Sequence, residues 1–236
     1  MKTKISKQTR EFLESETGQM FMGLIMGNGT LTPYCLEHTQ TSCYWEYSKS
    51  ITKQFKNEYP QLLTPKISKN SFCVKERINR ESLFVYKSQT LYTKRHSIFK
   101  ELYTIFYPNG KKIIPMALVT KYFSKISLLY LYLDDGKVGQ YEMLGLGLMC
   151  NFGEHELIKF QEFLTTRFHL EVTIQKKSKS KVLYIKTESS KHLLEQFRQM
   201  STIVNSIGLI GETKLQLKKV DISNYIIRQH DVSTVL

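Results

Sequence analysis

The fold is decided by the stretch MFMGLIMGNGTL, which runs from Met20 to Leu31. It is an apolar run that ends in Gly-Asn-Gly. A second apolar run, SLLYLYLDDGKVG, extends from Ser127 to Gly139 and ends in Asp-Asp-Gly. Both patterns predict a helix that stops at a polar residue followed by glycine, because glycine is the usual residue just after a helix. The chain therefore carries two similar helices, whose C-terminal ends present Asn28 and Asp135.

The glycines of the first run predict that these two helices pack against each other. Gly23 and Gly27 are four residues apart and so lie on one helix face, where a missing side chain allows close backbone approach. The second helix has the bulky Tyr130 where the first has Gly23. A glycine face against an aromatic face is complementary in shape.

The remaining sequence repeats one order of elements. Each half reads helix, strand, strand, helix, strand, strand, helix, which indicates an internal duplication and an α+β fold. Within this reading, SCYWEYS is a strand and ITKQFKNEYPQLL a helix, and Ser189 or Ser190 caps the last helix. The predicted segments are a polar lead-in (1–17), a first half (18–110), a linker (111–126) and a second half (127–236).

The charge of the chain favours a polyanionic partner. Of its 236 residues, 34 are Lys or Arg and 21 are Asp or Glu, which gives a net charge of +13. The sequence contains no run of about 18 apolar residues, the length that a membrane-spanning helix needs. Its N-terminus lacks the apolar segment of a signal peptide. These features favour nucleic acid over a membrane surface. The four cysteines form no C-x-x-C pair, which favours reduced thiols over a zinc site.

Several stretches resemble one protein family. GLIMGNGTL and LLYLYLDDGK resemble the paired signature helices of LAGLIDADG homing endonucleases. FYPNGKKIIPMALVTKYFSKISLLYLYLDDGK resembles the linker and second helix of the monomeric, omega-type endonucleases encoded in fungal mitochondrial large-ribosomal-RNA introns, and YWEYSKSITKQFKNEYPQL resembles part of their first half. The resemblance implies two pseudo-symmetric αββαββα halves in one chain. Their signature helices pack together, and two curved antiparallel sheets form a saddle over a DNA major groove.

The resemblance also implies a metal-dependent active site. Asp135 matches the metal-binding catalytic acid. Asn28 matches the equivalent catalytic and metal-binding position of the first helix, where aspartate is the norm, and it keeps one carbonyl oxygen as a ligand but loses the charge. The backbone carbonyls of Gly27 and Asp134 are expected to be further metal ligands. A carboxylate at a helix C-terminus is unfavourable, and a bound cation removes that penalty. The expected cofactor is Mg²⁺, with Mn²⁺ as a substitute, because hard cations take oxygen ligands.

Two lysines match further family positions. Lys112 corresponds to the basic residue that accompanies the first active site, and Lys214 to the one in the second half. A lysine at such a position stabilises charge that develops on the phosphate, and an ordinary phosphate contact is the alternative for both. The histidines show neither ligand spacing nor pairing with a nucleophile and receive no role. They are His38, His96, His155, His169, His192 and His230.

DNA recognition is expected from the strands. Antiparallel strands present alternate residues to one face, so that this face reads base edges while the other packs on helices. A phosphate contact or a solvated surface position is the alternative for each candidate. The candidates are Glu46, Tyr47, Lys49, Lys75, Arg77, Arg80, Tyr86, Lys87, Gln89, Gln140, Tyr141, Asn151, Gln175, Lys176, Lys177, Lys179, Lys181 and Lys186.

These features lead to one principal functional hypothesis. The chain is expected to be a monomeric, site-specific double-strand DNA endonuclease that binds a long asymmetric target and initiates homing of its intron in the mitochondrion. Because Asn28 lacks the charge of aspartate, reduced activity or nicking of one strand is expected. The alternatives are a cleavage-deficient nucleic-acid-binding protein and a group I intron maturase that binds intron RNA.

Overall fold

The computed structural model describes residues 5–41, 44–63, 72–78, 85–138, 145–148, 152–177, 180–200 and 203. Its first half begins with two helices, and a short 3-10 turn (Pro60–Leu62) follows the third. The elements are α1 (Lys7–Glu14), α2 (Glu16–Met26), β1 (Thr30–Leu31), β2 (Leu36–Thr41), α3 (Trp45–Glu58), β3 (Phe72–Ile78), β4 (Val85–Tyr92) and α4 (Ser97–Phe106).

The second half repeats this order after one intervening helix. The elements are α5 (Met116–Tyr122), α6 (Lys125–Asp135), β5 (Gly136–Val138), β6 (Leu146–Leu148), α7 (Glu154–Phe168), β7 (Val172–Lys177), β8 (Ser180–Ile185) and α8 (Thr187–Arg198). From α2 and from α6 onward, both halves read helix, strand, strand, helix, strand, strand, helix. The predicted α+β fold of two similar halves is therefore confirmed. Within the described part of the chain, no helix has the length and apolarity to cross a bilayer.

Each half contains a four-stranded antiparallel sheet with the same topology. The strand order is β1-β2-β4-β3 in the first sheet and β5-β6-β8-β7 in the second. In the first sheet His38 of β2 is paired with Leu91 of β4, and Gln40 is paired with Gln89. The strand order places β2 in the interior of its sheet, between β1 and β4.

Helices α2 and α6 pack closely along the predicted glycine face. A Cβ atom on Gly23 would lie 2.3 Å from the carbonyl oxygen of Ser127 and 2.7 Å from the Cβ of Tyr130. A Cβ atom on Gly27 would lie 2.7 Å from the Cβ of Asp134. Only glycine fits at either position, because real Cβ atoms do not approach other heavy atoms this closely. Since the contacts occur in the same order along both helices, α2 and α6 run in the same direction and end side by side.

The residues predicted as a polar lead-in contain α1, which packs onto the core of the first half. Phe12 and Leu13 are fully buried. The ring of Phe12 makes edge-to-face contacts with Phe21 of α2 and Phe99 of α4, at centroid distances of 5.5 and 6.3 Å. Helix α1 therefore packs against α2 and α4 in the core of the first half.

The strand predicted at SCYWEYS is wrong. Helix α3 begins at Trp45, inside that stretch. Tyr47, Ile51 and Phe55 are fully buried, and their spacing of four residues forms one apolar helix face. Aromatic residues favour strands only weakly, and tertiary packing overrides that preference here.

The predicted cap of the last helix is also wrong. Helix α8 begins at Thr187 with Lys186 as its N-cap residue, so Ser189 and Ser190 lie inside the helix. The buried hydroxyl of Ser190 accepts a hydrogen bond from the Leu146 backbone N–H at 3.0 Å. Ser190 therefore ties α8 to the second sheet instead of capping the helix.

Candidate active site

The site is built where the central helices end. Helix α2 ends at Met26, and Gly27 is its C-cap residue. The chain then turns through the exposed Asn28, whose side-chain Nδ2 donates a hydrogen bond to the backbone carbonyl of Asp134 at 3.2 Å. The polar residue of the first helix therefore contacts the end of the second helix directly, one residue before Asp135.

Lys112 caps the C-terminal end of α2. Its Nζ donates to the carbonyl oxygens of Gly27 at 2.8 Å and Gly29 at 3.0 Å. Carbonyl groups at a helix C-terminus lack intrahelical partners and carry partial negative charge, so a lysine there is favourable. The same Nζ lies 5.8 Å from the ring centroid of Phe152. Of the two lysines matched by resemblance, Lys112 is thus placed at the site, whereas Lys214 lies outside the described residues.

The loop that carries Lys112 is anchored at both ends. Gly110, with a φ of +71°, allows the turn after α4. The backbone N–H of Ile113 then donates to the Phe106 carbonyl at 2.8 Å. The N–H of Ile114 donates to the carboxylate of Glu156, in the first turn of α7, at 3.0 Å. A residue of the second half therefore fixes the loop that delivers Lys112 to the first.

Asp135 is the last residue of α6 and is half-buried. Within the described ranges, no group of three or more His, Cys, Asp or Glu side chains is arranged to bind a metal ion. A divalent cation at this site would therefore combine the Asp135 carboxylate with carbonyl and phosphate oxygens, a combination that Mg²⁺ accepts. The oxygen ligands that Asp135 offers at the end of α6 are of the kind that such a cation binds. The Asn28 side fits it less well, because Asn28 adds no charge and the Gly27 carbonyl also accepts a hydrogen bond from the cationic Lys112.

A second polar cluster lies directly beside the site and involves residues that the sequence did not single out. The carboxylate of Asp134 is fully buried and contacts His38 Nε2 at 3.1 and 3.0 Å. It also accepts hydrogen bonds from Gln40 Nε2 at 3.0 Å and from the Tyr47 hydroxyl at 2.9 Å. His38 was expected to have no role, and Tyr47 was a candidate for DNA contact. The expectation for Tyr47 is wrong, since its side chain is fully buried against Asp134, whereas the expectation for His38 stays a prediction because a contact with Asp134 does not test it.

The electrostatics of this cluster keep Tyr47 protonated. Burial, and next the charge of Asp134, raise the pKa of the Tyr47 phenol well above its ordinary value. The phenol is therefore a donor at any physiological pH, and a carboxylate can only accept. One sequence signal was available: in LEHTQT of β2, the residues Leu36, His38 and Gln40 alternate and so share the buried face of the strand. Their polar members predict a buried partner without identifying it.

The predicted DNA-contacting residues are spread over the two sheets and neighbouring helices. Lys49 and Glu46 are exposed on α3, and Gln175 and Lys176 are exposed on β7. Lys181 of β8 forms an ion pair with Glu154, and Lys186 forms one with Glu171 at 2.8 Å. Lys75, Arg77, Tyr86, Lys87, Gln89 and Lys177 belong to β3, β4 and β7. Arg80, Gln140, Tyr141, Asn151 and Lys179 lie outside the described residues.

One protein family and several solved structures are similar to this chain. The model of the LAGLIDADG DNA endonuclease family matches residues 18–193. Among solved structures, the homing endonuclease I-WcaI bound to its DNA recognition sequence matches with a TM-score of 0.69 and 22% identity, over 90% of this chain and 94% of that one. Full-length DUF199/WhiA from Thermatoga maritima matches with a TM-score of 0.46 and 16% identity, over 98% of this chain and 73% of that one. None of the curated proteins compared with the chain matches it significantly.

Proposed function

The chain belongs to the LAGLIDADG DNA endonuclease family, and on that premise we propose that it is a site-specific DNA endonuclease that hydrolyses phosphodiester bonds with a divalent metal. We propose Mg²⁺ as the metal, with Mn²⁺ as a substitute, and a long asymmetric duplex bound by one copy of the chain. We further propose that it initiates homing of an intron and acts in the mitochondrion. The +13 net charge supports a DNA partner.

One observation carries this proposal: α2 and α6 run in the same direction and end together. Asn28 therefore contacts the backbone of Asp134, and the Asp135 carboxylate follows one residue later. A divalent metal bound there supplies a water activated at neutral pH and neutralises charge on the phosphate oxygens. Asp135 provides the charged ligand at the helix end. Lys112 is held in place by two backbone carbonyls. Its positive charge stabilises the negative charge that develops on the phosphate during cleavage.

The two halves of this site are unequal. Asp135 has a carboxylate, whereas Asn28 has an amide that donates to the Asp134 carbonyl. We therefore propose that the two DNA strands are cleaved at different rates and that nicked DNA accumulates. A second candidate function is a cleavage-deficient DNA-binding protein. It is favoured by the missing charge of Asn28, whose amide donates to the Asp134 carbonyl where a carboxylate would offer a charged metal ligand.

A plasmid assay tests the proposal. The substrate is a supercoiled plasmid that carries the intronless target gene, and supercoiled, nicked and linear forms are scored with Mg²⁺ and with Mn²⁺. We expect nicking by the parent chain, none by Asp135→Asn, and unchanged cleavage by Glu162→Gln, which removes one exposed negative charge from α7. Equal cleavage by Asp135→Asn would refute the assigned site. Tight binding by the parent without any cleavage would establish the second candidate instead.

A further inference from the structure

We infer that His38, Gln40 and Tyr47 position the acid Asp135 by holding the neighbouring carboxylate of Asp134. This inference rests on the proposed function, because it concerns the geometry of the proposed metal ligand. The three residues belong to the first half, in β2 and α3, whereas Asp134 and Asp135 end α6 of the second half. One half of the chain would thus set the active-site geometry of the other.

The contacts to Asp134 restrict its carboxylate strongly. The side chains of Asp134 and His38 are both fully buried, and Tyr47 is fully buried as well. A buried carboxylate is costly unless donors surround it, and here three side chains contact its two oxygens within 3.1 Å. Any rotation of the carboxylate would break at least one of these contacts in a water-poor environment. Asp134 is therefore held in one orientation.

That orientation is passed to Asp135 by helix geometry. Both residues belong to α6, and successive residues of an α-helix point about 100° apart around the axis. Fixing the direction of Asp134 toward β2 and α3 therefore fixes the direction in which Asp135 leaves the helix. The chain enters β5 at Gly136, so α6 has no further turn to hold its end. The same C-terminal turn of α6 also contacts Gly27 and Asn28 of the α2 end, and its Tyr132 ring stacks on Phe197 of α8.

The cluster around Asp134 could serve the stability of the fold or the position of Asp135, and these two roles predict different effects of mutation. A network that served stability alone would lower the melting temperature when altered, without a selective effect on metal binding. A positioning role predicts a selective effect, because supporting residues around metal ligands typically change metal affinity by about 10- to 100-fold when altered. The two roles are therefore separated by comparing metal affinity with stability in matched variants.

Tyr47→Phe is the informative variant. It removes the hydroxyl that donates to Asp134 but keeps the ring, which stacks on Tyr130 at a centroid distance of 6.0 Å. Gln40→Met is a second variant, of similar length and without a donor. Thr52→Val is the matched control. It removes a buried hydrogen bond in α3, the helix that carries Tyr47. This bond runs from the Thr52 hydroxyl to the Ser48 carbonyl at 2.9 Å and does not involve Asp134.

The experiment measures binding of Tb³⁺, a hard cation that accepts oxygen ligands, to the full chain by luminescence titration, together with thermal unfolding of each variant. The Asp135→Asn variant defines the part of the binding that depends on this site. We expect Tyr47→Phe and Gln40→Met to weaken that part by roughly tenfold, and Thr52→Val to leave it unchanged. Absence of Asp135-dependent binding in the parent would overturn the proposed metal site together with this inference. Parent binding that Tyr47→Phe and Gln40→Met leave unchanged, or that Thr52→Val weakens equally, would overturn only the positioning role.

Discussion

Replacement of Asn28 by aspartate tests how the amide at this position affects the stability of the chain and its cleavage activity. Without metal, Asn28→Asp loses the donor that now contacts the Asp134 carbonyl at 3.2 Å. It also places a negative charge where two helices end side by side. We therefore expect the variant to be less stable than the parent in chelator and more active in Mg²⁺.

The size of the stability loss follows from these contacts. A neutral hydrogen bond contributes about 1 kcal/mol, and an unfavourable charge at an exposed helix end costs about 0.3–1 kcal/mol for each helix. The nearby Lys112 offsets part of this, so the expected loss is about 2 kcal/mol, which lowers the melting temperature by about 4–8 °C for a chain of this size. Excess Mg²⁺ should remove most of the difference, because the new carboxylate then faces a cation.

The expected gain in cleavage is larger. A second charged ligand that restores about 2.7 kcal/mol of transition-state stabilisation raises the rate about 100-fold. Plasmid cleavage should then change from nicked to linear product. DNA binding measured in chelator should weaken, since the added carboxylate repels phosphates.

Asn57→Asp provides the control for Asn28→Asp, since it makes the same change in charge at an exposed position of α3. It should alter neither the metal dependence of stability nor the ratio of linear to nicked product. Efficient double-strand cleavage by the parent, without gain from Asn28→Asp, would refute the reasoning and identify the amide as an adequate ligand.

Three further outcomes are expected. Gly23→Ala should lower the free energy of unfolding in urea by about 3 kcal/mol, because its Cβ meets the Ser127 carbonyl at 2.3 Å, whereas Gly147→Ala, with its nearest contact at 3.2 Å, should be tolerated. Lys112→Met should lower it by about 2 kcal/mol through loss of two charge-assisted hydrogen bonds, and Lys111→Met should not. DNA affinity in gel-shift assays should fall about 10³-fold between roughly 50 and 200 mM salt, and a salt-independent affinity would contradict a phosphate-dominated interface.

The helix pair was predictable from sequence because its determinants are local. The spacing of Gly23 and Gly27 defines one helix face, and the steric need for glycine is visible in the structure at both positions. The element order of each half was predictable for the same reason, since hydrophobic periodicity is a local property. The start of α3 was mispredicted because Tyr44, Trp45 and Tyr47 favour strands individually, while burial of Tyr47 with Ile51 decides for the helix.

The polar cluster was not predictable because its members are distant in sequence. His38 and Asp134 are separated by 96 residues. No spacing rule of sequence links a residue of a strand to the end of a helix in the other half. The alternation in β2 indicated that His38 and Gln40 face inward, but their common partner is defined only by how the halves pack. The same limit applies to Lys112, whose contacts with Gly27 and Gly29 require the linker to fold back onto α2.

The packing of Gly27 against Asp134 links the single-chain architecture to the unequal site. These residues hold equivalent positions in α2 and α6, each directly before the residue that ends its motif. A Cβ on Gly27 would lie 2.7 Å from the Cβ of Asp134, so both positions cannot carry a side chain in this arrangement. Two identical subunits would place the same residue at both positions and could not combine a glycine with a buried carboxylate. Because the two halves are joined and differ in sequence, one supplies the glycine and the other the anchored acid, and the same freedom allows Asn28 and Asp135 to differ at equivalent positions.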